Sequence, residues 1–149
     1  MEILLAAPEH ARDLARLLWL HADPQQQDRQ SVESFEVDLR PWLSSHGHSH
    51  HAFIARSSEA EIVGMAWLAL LPRVPRPGTI SRHSADIQSV FVLPDQRGKG
   101  LGAALITAAT NHARELGANR VTVQSGRKAT PLYERLGYAS SRQLQTELD

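Results

Sequence analysis

The chain has 149 residues, 42% of them apolar and 21% charged, with a formal net charge of zero. That length and balance read as one globular domain over residues 1–149, with no global field to draw it to nucleic acid or an acidic membrane, so any anion site must be local. The absence of cysteine excludes a disulfide framework, a thiolate metal site and a covalent thiol mechanism.

The N-terminus, "MEILLAAPEHARDL", is apolar too briefly and carries the wrong charges for a secretory signal. No apolar run approaches membrane-spanning length, so a cytoplasmic protein is expected. "EILLAA" reads as a first strand, stopped by Pro8. From Glu9 the apolar residues Ala11, Leu14, Leu17, Leu18 and Trp19 recur at helical spacing. "HADPQQQDRQ" is polar, and its Asp23-Pro24 pair predicts a loop. Ser31 is a good N-cap followed by Glu33 and Glu36, so a second helix starts there, and Pro41 ends or distorts it.

"SSHGHSHH" reads as a loop. "HAFIARS" and "EIVGMAWLALL" form an antiparallel hairpin across the polar turn "SSEA". "PRVPRPGTISRHS" is Pro-rich and irregular, whereas "ADIQSVFVL" is the strongest strand in the chain. A helix follows, with Leu101, Leu105, Ala108, His112 and Leu116 on one face and Gly117 closing it. "NRVTVQS" is a strand, "ATPLYERLGY" a short helix ended by Gly137, and "ASSRQLQTEL" is expected to form a last strand. The order predicts a mixed α/β sheet covered by helices.

Between the strongest strand and the long helix lies "QRGKGLG". A strand running into such a turn presents unpaired N–H groups at a helix N-terminus, where the dipole attracts an anion. Glycines let a phosphate approach without a Cβ in the way, and Arg97 and Lys99 add positive charge. A tight strand-to-helix turn would also explain the glycines alone. A nucleoside-triphosphate loop is excluded because no "GK[ST]" occurs. A dinucleotide fingerprint is met by Gly98, Gly100 and Ala103, but too little chain follows for the paired βαβ halves, and "RVTVQSGRK" offers no ribose-binding acid.

"ADIQSVFVLPDQRGKGLGAALITAA" followed by "RVTVQSGRKATPLYERLGY" resembles the GNAT acetyltransferase superfamily. Arg97, Gly100 and Gly102 fill its R/Q-x-x-G-x-G/A motif, and Leu132 to Tyr138 resemble its second segment. The resemblance implies the GNAT acyl-CoA N-acyltransferase fold, a central mixed, mostly antiparallel sheet flanked by helices. It also implies acetyl-CoA as acyl donor, an amine acceptor, no metal, and a family habit of dimerising with which a homodimer is compatible. Carried over, the backbone amides of Arg97, Gly98, Lys99, Gly100, Leu101, Gly102 and Ala103 would hold the pyrophosphate. The strand before them would splay at a bulge, so that Val90, Phe91 and Val92 pair with the pantetheine amides and the Val90 N–H polarises the thioester carbonyl.

The implied reaction is direct attack of a neutral amine on the thioester. Asp86 stands where some relatives carry a glutamate base; it is one methylene shorter, so a relaying water is one route, and a merely solvated strand-start carboxylate is the other reading. His83 is the reserve base. Tyr133 matches the family tyrosine that protonates the departing thiolate, against the alternative of an amphipathic core tyrosine. Where many relatives place an asparagine seven residues earlier, this chain has Gly126.

Other features weigh less. His46, His48, His50 and His51 alternate as chelators do, but no carboxylate lies among them, which favours a solvated loop. Arg73, Arg76 and Arg82 sit among prolines without interleaved aromatics, as in a surface loop rather than a nucleic-acid patch. Trp19, Trp42 and Trp67 suit core or pocket wall, and His112 a partly buried helix face. Leu20 to Gln30 and Leu71 to His83 are expected to choose the acceptor. A non-catalytic acyl-CoA sensor would share the glycine turn.

Overall fold

The computed structural model describes residues 1–148. Five strands form one sheet in the order β1-β2-β3-β4-β5: β1 Glu2–Leu5, β2 His50–Arg56, β3 Ile62–Arg73, β4 Arg82–Val92 and β5 Val121–Val123. The first four run antiparallel and β5 is parallel to β4, so the sheet is mixed and mostly antiparallel, as expected. Helices α1 Ala11–His21, α2 Pro24–Arg29 and α3 Val32–Ser45 precede β2, while α4 Leu101–Glu115 and α5 Thr130–Arg135 flank β5 in sequence.

Strand alternation divides the core between the two sheet faces. On one face Met65 and Trp67 of β3 and Ile54 of β2 pack against Leu14, Leu17 and Leu39 of α1 and α3. On the other, Leu68, Ala85 and Ile87 pack against Ile106 and Ala109 of α4 and Tyr133 of α5. Residues such as Leu17, Ile54, Leu68 and Leu105 are wholly buried, each contributing roughly 1.5–3 kcal/mol of transfer free energy.

Four local expectations need correction. The polar stretch after α1 is not all loop: Asp23 accepts from the Gln26 N–H at 2.8 Å while Gln26 Oε1 accepts from the Asp23 N–H, a reciprocal cap that starts α2 with Pro24 in its first turn. Pro41 neither ends α3 nor stops its burial of Leu39 and Leu43; the carbonyl it leaves unpaired is that of Val37, which lies on an exposed turn open to water. The Pro-rich segment is shorter than expected, because Pro72 and Arg73 still pair with His83 and Arg82. The Leu70 N–H reaches the Ser49 carbonyl at 2.8 Å, so alternation points the ring nitrogen of Pro72 to the same side, where β2 has already ended and no ladder bond is lost. The C-terminal tail is not a strand: Leu144 and Leu148 are exposed, and with Thr146 between them on the face they would share, there is too little apolar surface to bury.

Candidate active site

β4 is the spine of the site. Trp67 lies opposite Ser89 while the next residue, Leu68, lies opposite Ile87, which leaves Gln88 as an extra residue. This is a β-bulge, a device that twists a strand and re-aims the residues beyond it. On its other edge β4 pairs with β5 only from Ala85 to Ile87. From Gln88 onward the parallel pair has parted. The Leu93 N–H donates to the Val63 carbonyl at 2.9 Å. Alternation then turns the backbone of Phe91 toward β3 as well, and aims the N–H and C=O of Val90 and Val92 into the gap that β5 has left. Of the three residues expected along the pantetheine, Phe91 therefore differs from its neighbours in having its backbone groups turned away.

At the end of β4 the chain enters the glycine turn. Gly98 and Gly100 have φ of +80° and +79°, a conformation that costs a residue with a Cβ roughly 1–2 kcal/mol. Gly102 has no such need; a Cβ there would meet nothing within 4 Å, because it faces an open groove. Among the described residues the N–H groups from Gly98 to Ala103 find no acceptor within the chain, and α4 has no side-chain N-cap. These donors and the helix dipole converge on one place, which suits an anion.

The groove encloses about 780 Å³. Val90, Phe91 and Val92 form one wall, and Arg97, Gly98, Gly100, Leu101, Gly102 and Ala103 its end. Lys99 alone of the expected cofactor residues stands off this wall; its ammonium donates to Gln96 Oε1 at 3.1 Å. Leu20 and His21 of α1 and Lys128, Ala129 and Leu132 before and within α5 complete it. No spacing rule in the sequence ties those five residues to the turn.

A second cavity, of about 460 Å³, lies on the α1–α3 side of the same bulge, with Gln88 and Ser89 in its wall. Trp42, Trp67 and His50 also line it. His50 is thus not in a solvated loop: it opens β2 opposite Ala69, its Nδ1 is 2.8 Å from Ser49 Oγ, and the Trp42 ring meets it edge-on with centroids 5.0 Å apart. Burial, with His46 and His48 nearby, lowers its pKa and favours the neutral imidazole. His46 stacks on Trp42 at 4.3 Å, whereas His51 faces α4, with its ring 5.0 Å from that of His112. Among the described residues no group of three or more His, Asp or Glu is placed to hold a metal.

Asp86 sits between Ala85 and Ile87, which pack toward α4 and α5, so its side chain points to the α1–α3 face. Thr122 Oγ1 donates to its Oδ1 at 2.9 Å. The register puts His50, Ala69, Asp86 and Thr122 in one row across the sheet, one step from the Trp67–Ser89 row that walls the second cavity. His83, three residues earlier on β4, falls on the opposite face, and neither cavity includes it. Neither includes Leu71 to His83; the second is lined by residues of α1, α3, β2, β3 and β4, together with Gln30. Tyr133 is on the α4 side, buried against Leu68 and Ile87 and edge-on to Tyr138 at 5.5 Å. Burial raises its pKa above the usual phenol value, so it holds its proton at neutral pH.

A parallel strand pair that parts at a bulge, with a bare basic helix N-terminus at the end of the gap, is the layout of a coenzyme-thioester acyltransferase. The sequence model of the acetyltransferase (GNAT) family matches residues 8–138, and the chain belongs to that family, whose members use acetyl-CoA as acyl donor. It is 40% identical over 88 residues to glucosamine 6-phosphate N-acetyltransferase of Trypanosoma brucei brucei, covering 58% of each chain. It is 30% identical over 128 residues to mycothiol acetyltransferase of Saccharomonospora viridis, covering 83% of this chain but 39% of that protein. The chain thus spans less than two thirds of either of these curated relatives. Among solved structures, an acetyltransferase from Trypanosoma brucei superposes over 99% of both chains with a TM-score of 0.74 and 27% identity. No described helix is long and apolar enough to cross a membrane.

Proposed function

We propose that the chain transfers an acetyl group from acetyl-CoA to a primary amine by direct attack in a ternary complex. The observation that carries this reading is the meeting of two cavities at one bulge. The groove ending in the unpaired amides lies against Val90 to Val92, and the second cavity lies against Gln88 and Ser89. A thioester lying along the first can meet an amine entering from the second.

In this reading the amides of Gly98 through Ala103 cradle the pyrophosphate, the Arg97 N–H being directed to the Pro94 carbonyl, while the backbone of Val90 and the N–H of Val92 are offered to the pantetheine. The Val90 N–H, aimed into the gap, donates to the carbonyl oxygen as negative charge builds there. The amine nitrogen forms the new bond to the carbonyl carbon and the C–S bond breaks. The amine's proton passes to Asp86, directly or through one water, on the α1–α3 face. Tyr133 gives its proton to the departing sulfur from the opposite face. The base and the acid thus stand on opposite sides of the sheet, as incoming and leaving groups do.

The test is release of free thiol from acetyl-CoA across a panel of primary amines, alongside the shift in melting temperature that acetyl-CoA produces. The expected result is a rise in Tm with acetyl-CoA and amine-dependent thiol release. A rise in Tm with no thiol release on any amine supports a binding module without turnover, and a rise with NAD instead removes the reading.

A further inference from the structure

The relatives' names point to two different compounds, glucosamine 6-phosphate and mycothiol, so the acceptor of this chain has to be read from its own cavity. That cavity is chemically lopsided. Trp42, Trp67, Phe35 and Leu18 supply an apolar, largely aromatic wall, with Trp42 and Trp67 edge-on at 6.3 Å. Among the described residues no arginine or lysine lines it, although Arg29 lines an adjoining cavity that shares Leu18, Gln30 and Phe35 with it. The nearby cation of α3, Arg40, lines a different cavity and is paired with Glu36 Oε2 at 2.7 Å. The one carboxylate is Asp38, exposed on α3 one turn before Trp42, where its Oδ2 accepts from Gln30 Nε2 at 2.6 Å. The titratable groups lining the cavity are therefore Asp38 from α3 and His50 from β2, with Asp86 on the same face one row beyond and outside the lining.

From this lining we infer that the acceptor is an arylalkylamine, a primary amine on a short chain carried by an aromatic ring, and not a sugar phosphate. The inference rests on the acetyl-transfer reading above. A phosphate needs cationic partners or converging N–H donors, and here it would meet a carboxylate and indole faces instead. The field of Asp38 favours a cationic amine over an anion on entry to the cavity, and a flat ring is matched by the edge-on aromatic wall. Ser89 and Gln88 sit at the bulge end, so a ring seated against Trp42 and Trp67 directs its short chain toward the gap beside Val90.

The experiment uses the whole chain with 2-phenylethylamine, n-butylamine, glucosamine 6-phosphate and a lysine-containing peptide as acceptors, read by thiol release from acetyl-CoA. Binding of 2-phenylethylamine is read separately by intrinsic tryptophan fluorescence without acetyl-CoA. The expected result is a kcat/KM for 2-phenylethylamine at least tenfold above each of the others, and quenching that saturates. Asp38→Asn is expected to raise KM about tenfold with kcat within twofold, and Trp42→Leu to weaken binding similarly, both with an unchanged response of Tm to acetyl-CoA. Preference for glucosamine 6-phosphate or the peptide overturns the inference while leaving acetyl transfer standing. So does equal use of butylamine, or a KM indifferent to Asp38→Asn. Failure of acetyl-CoA to raise Tm instead removes the acetyl-transfer reading beneath it.

Discussion

The Arg97 side chain folds back on its own strand: its Nε donates to the Val92 carbonyl at 2.9 Å, and its guanidinium carbon lies 5.7 Å from the centre of the Phe91 ring. The Val92 carbonyl is on the open edge of β4, where no strand can pair with it. Arg97 thereby closes the end of the gap and fixes the glycine turn relative to the strand. The charged side chain in the motif is a clamp on the turn's geometry as well as a positive charge beside it.

Replacing Arg97 by Ala removes a charge-assisted hydrogen bond of roughly 1.5–3 kcal/mol and loosens the amide cradle. Affinity for coenzyme A, measured by titration calorimetry, is expected to fall at least tenfold. Arg97→Lys is expected to recover little, since an ammonium keeps the charge without the planar fork that meets Val92.

Gly100 and Gly102 separate backbone strain from groove filling. Gly100→Ala forces a Cβ into a left-handed conformation and is expected to cost roughly 1 kcal/mol, a Tm drop of about 2–4 °C in a chain this size. Gly102→Leu introduces no such strain and suits the first turn of α4, but fills the groove. Its Tm should stay level or rise while coenzyme binding falls more than tenfold. Thermal melts with and without coenzyme A distinguish the two.

Tyr133→Phe keeps the ring packed against Leu68 and Ile87 and removes only the hydroxyl. The expected outcome is a loss in kcat of roughly a hundredfold, the scale of general-acid catalysis, with coenzyme affinity nearly unchanged. Equal kcat in the two proteins would assign the phenol to packing alone.

Burial lowers the pKa of both His50 and His51, and like-charged histidines around them act in the same direction. A depressed pKa means that the unfolded chain binds these protons more readily than the folded one. Their contribution to stability is therefore complete above the ordinary histidine value near pH 6.5 and is lost as pH falls through the lower folded values. Tm should decline as pH falls below about 6.5 more steeply than in His50→Gln or His51→Gln, measured by calorimetry in matched buffers.

The geometry of the glycine turn was legible in the sequence because it is local: strand, turn and helix are consecutive, and the spacing of Arg97, Gly100 and Gly102 marks it. The α/β order was legible for the same reason, from periodicities of two and 3.6. The second cavity was not. It is assembled from Gln30, Asp38 and Trp42 on one layer and His50, Trp67 and Gln88 on another, brought together by strand register and helix packing. His50 in particular reads as part of a polar loop because its neighbours are Ser and Gly, and only the pairing with Ala69 makes it a strand residue. The tail misled in the opposite way, since its polar alternation looks like an edge strand but brings no apolar face to bury.

The most direct measurement is a crystal structure of the protein grown with coenzyme A. The diphosphate is expected within hydrogen-bonding distance of the N–H groups between Gly98 and Ala103, with the pantetheine running along Val90 and Val92 in the gap between β4 and β5. Coenzyme bound elsewhere on the surface, with those amides turned to water, would contradict it.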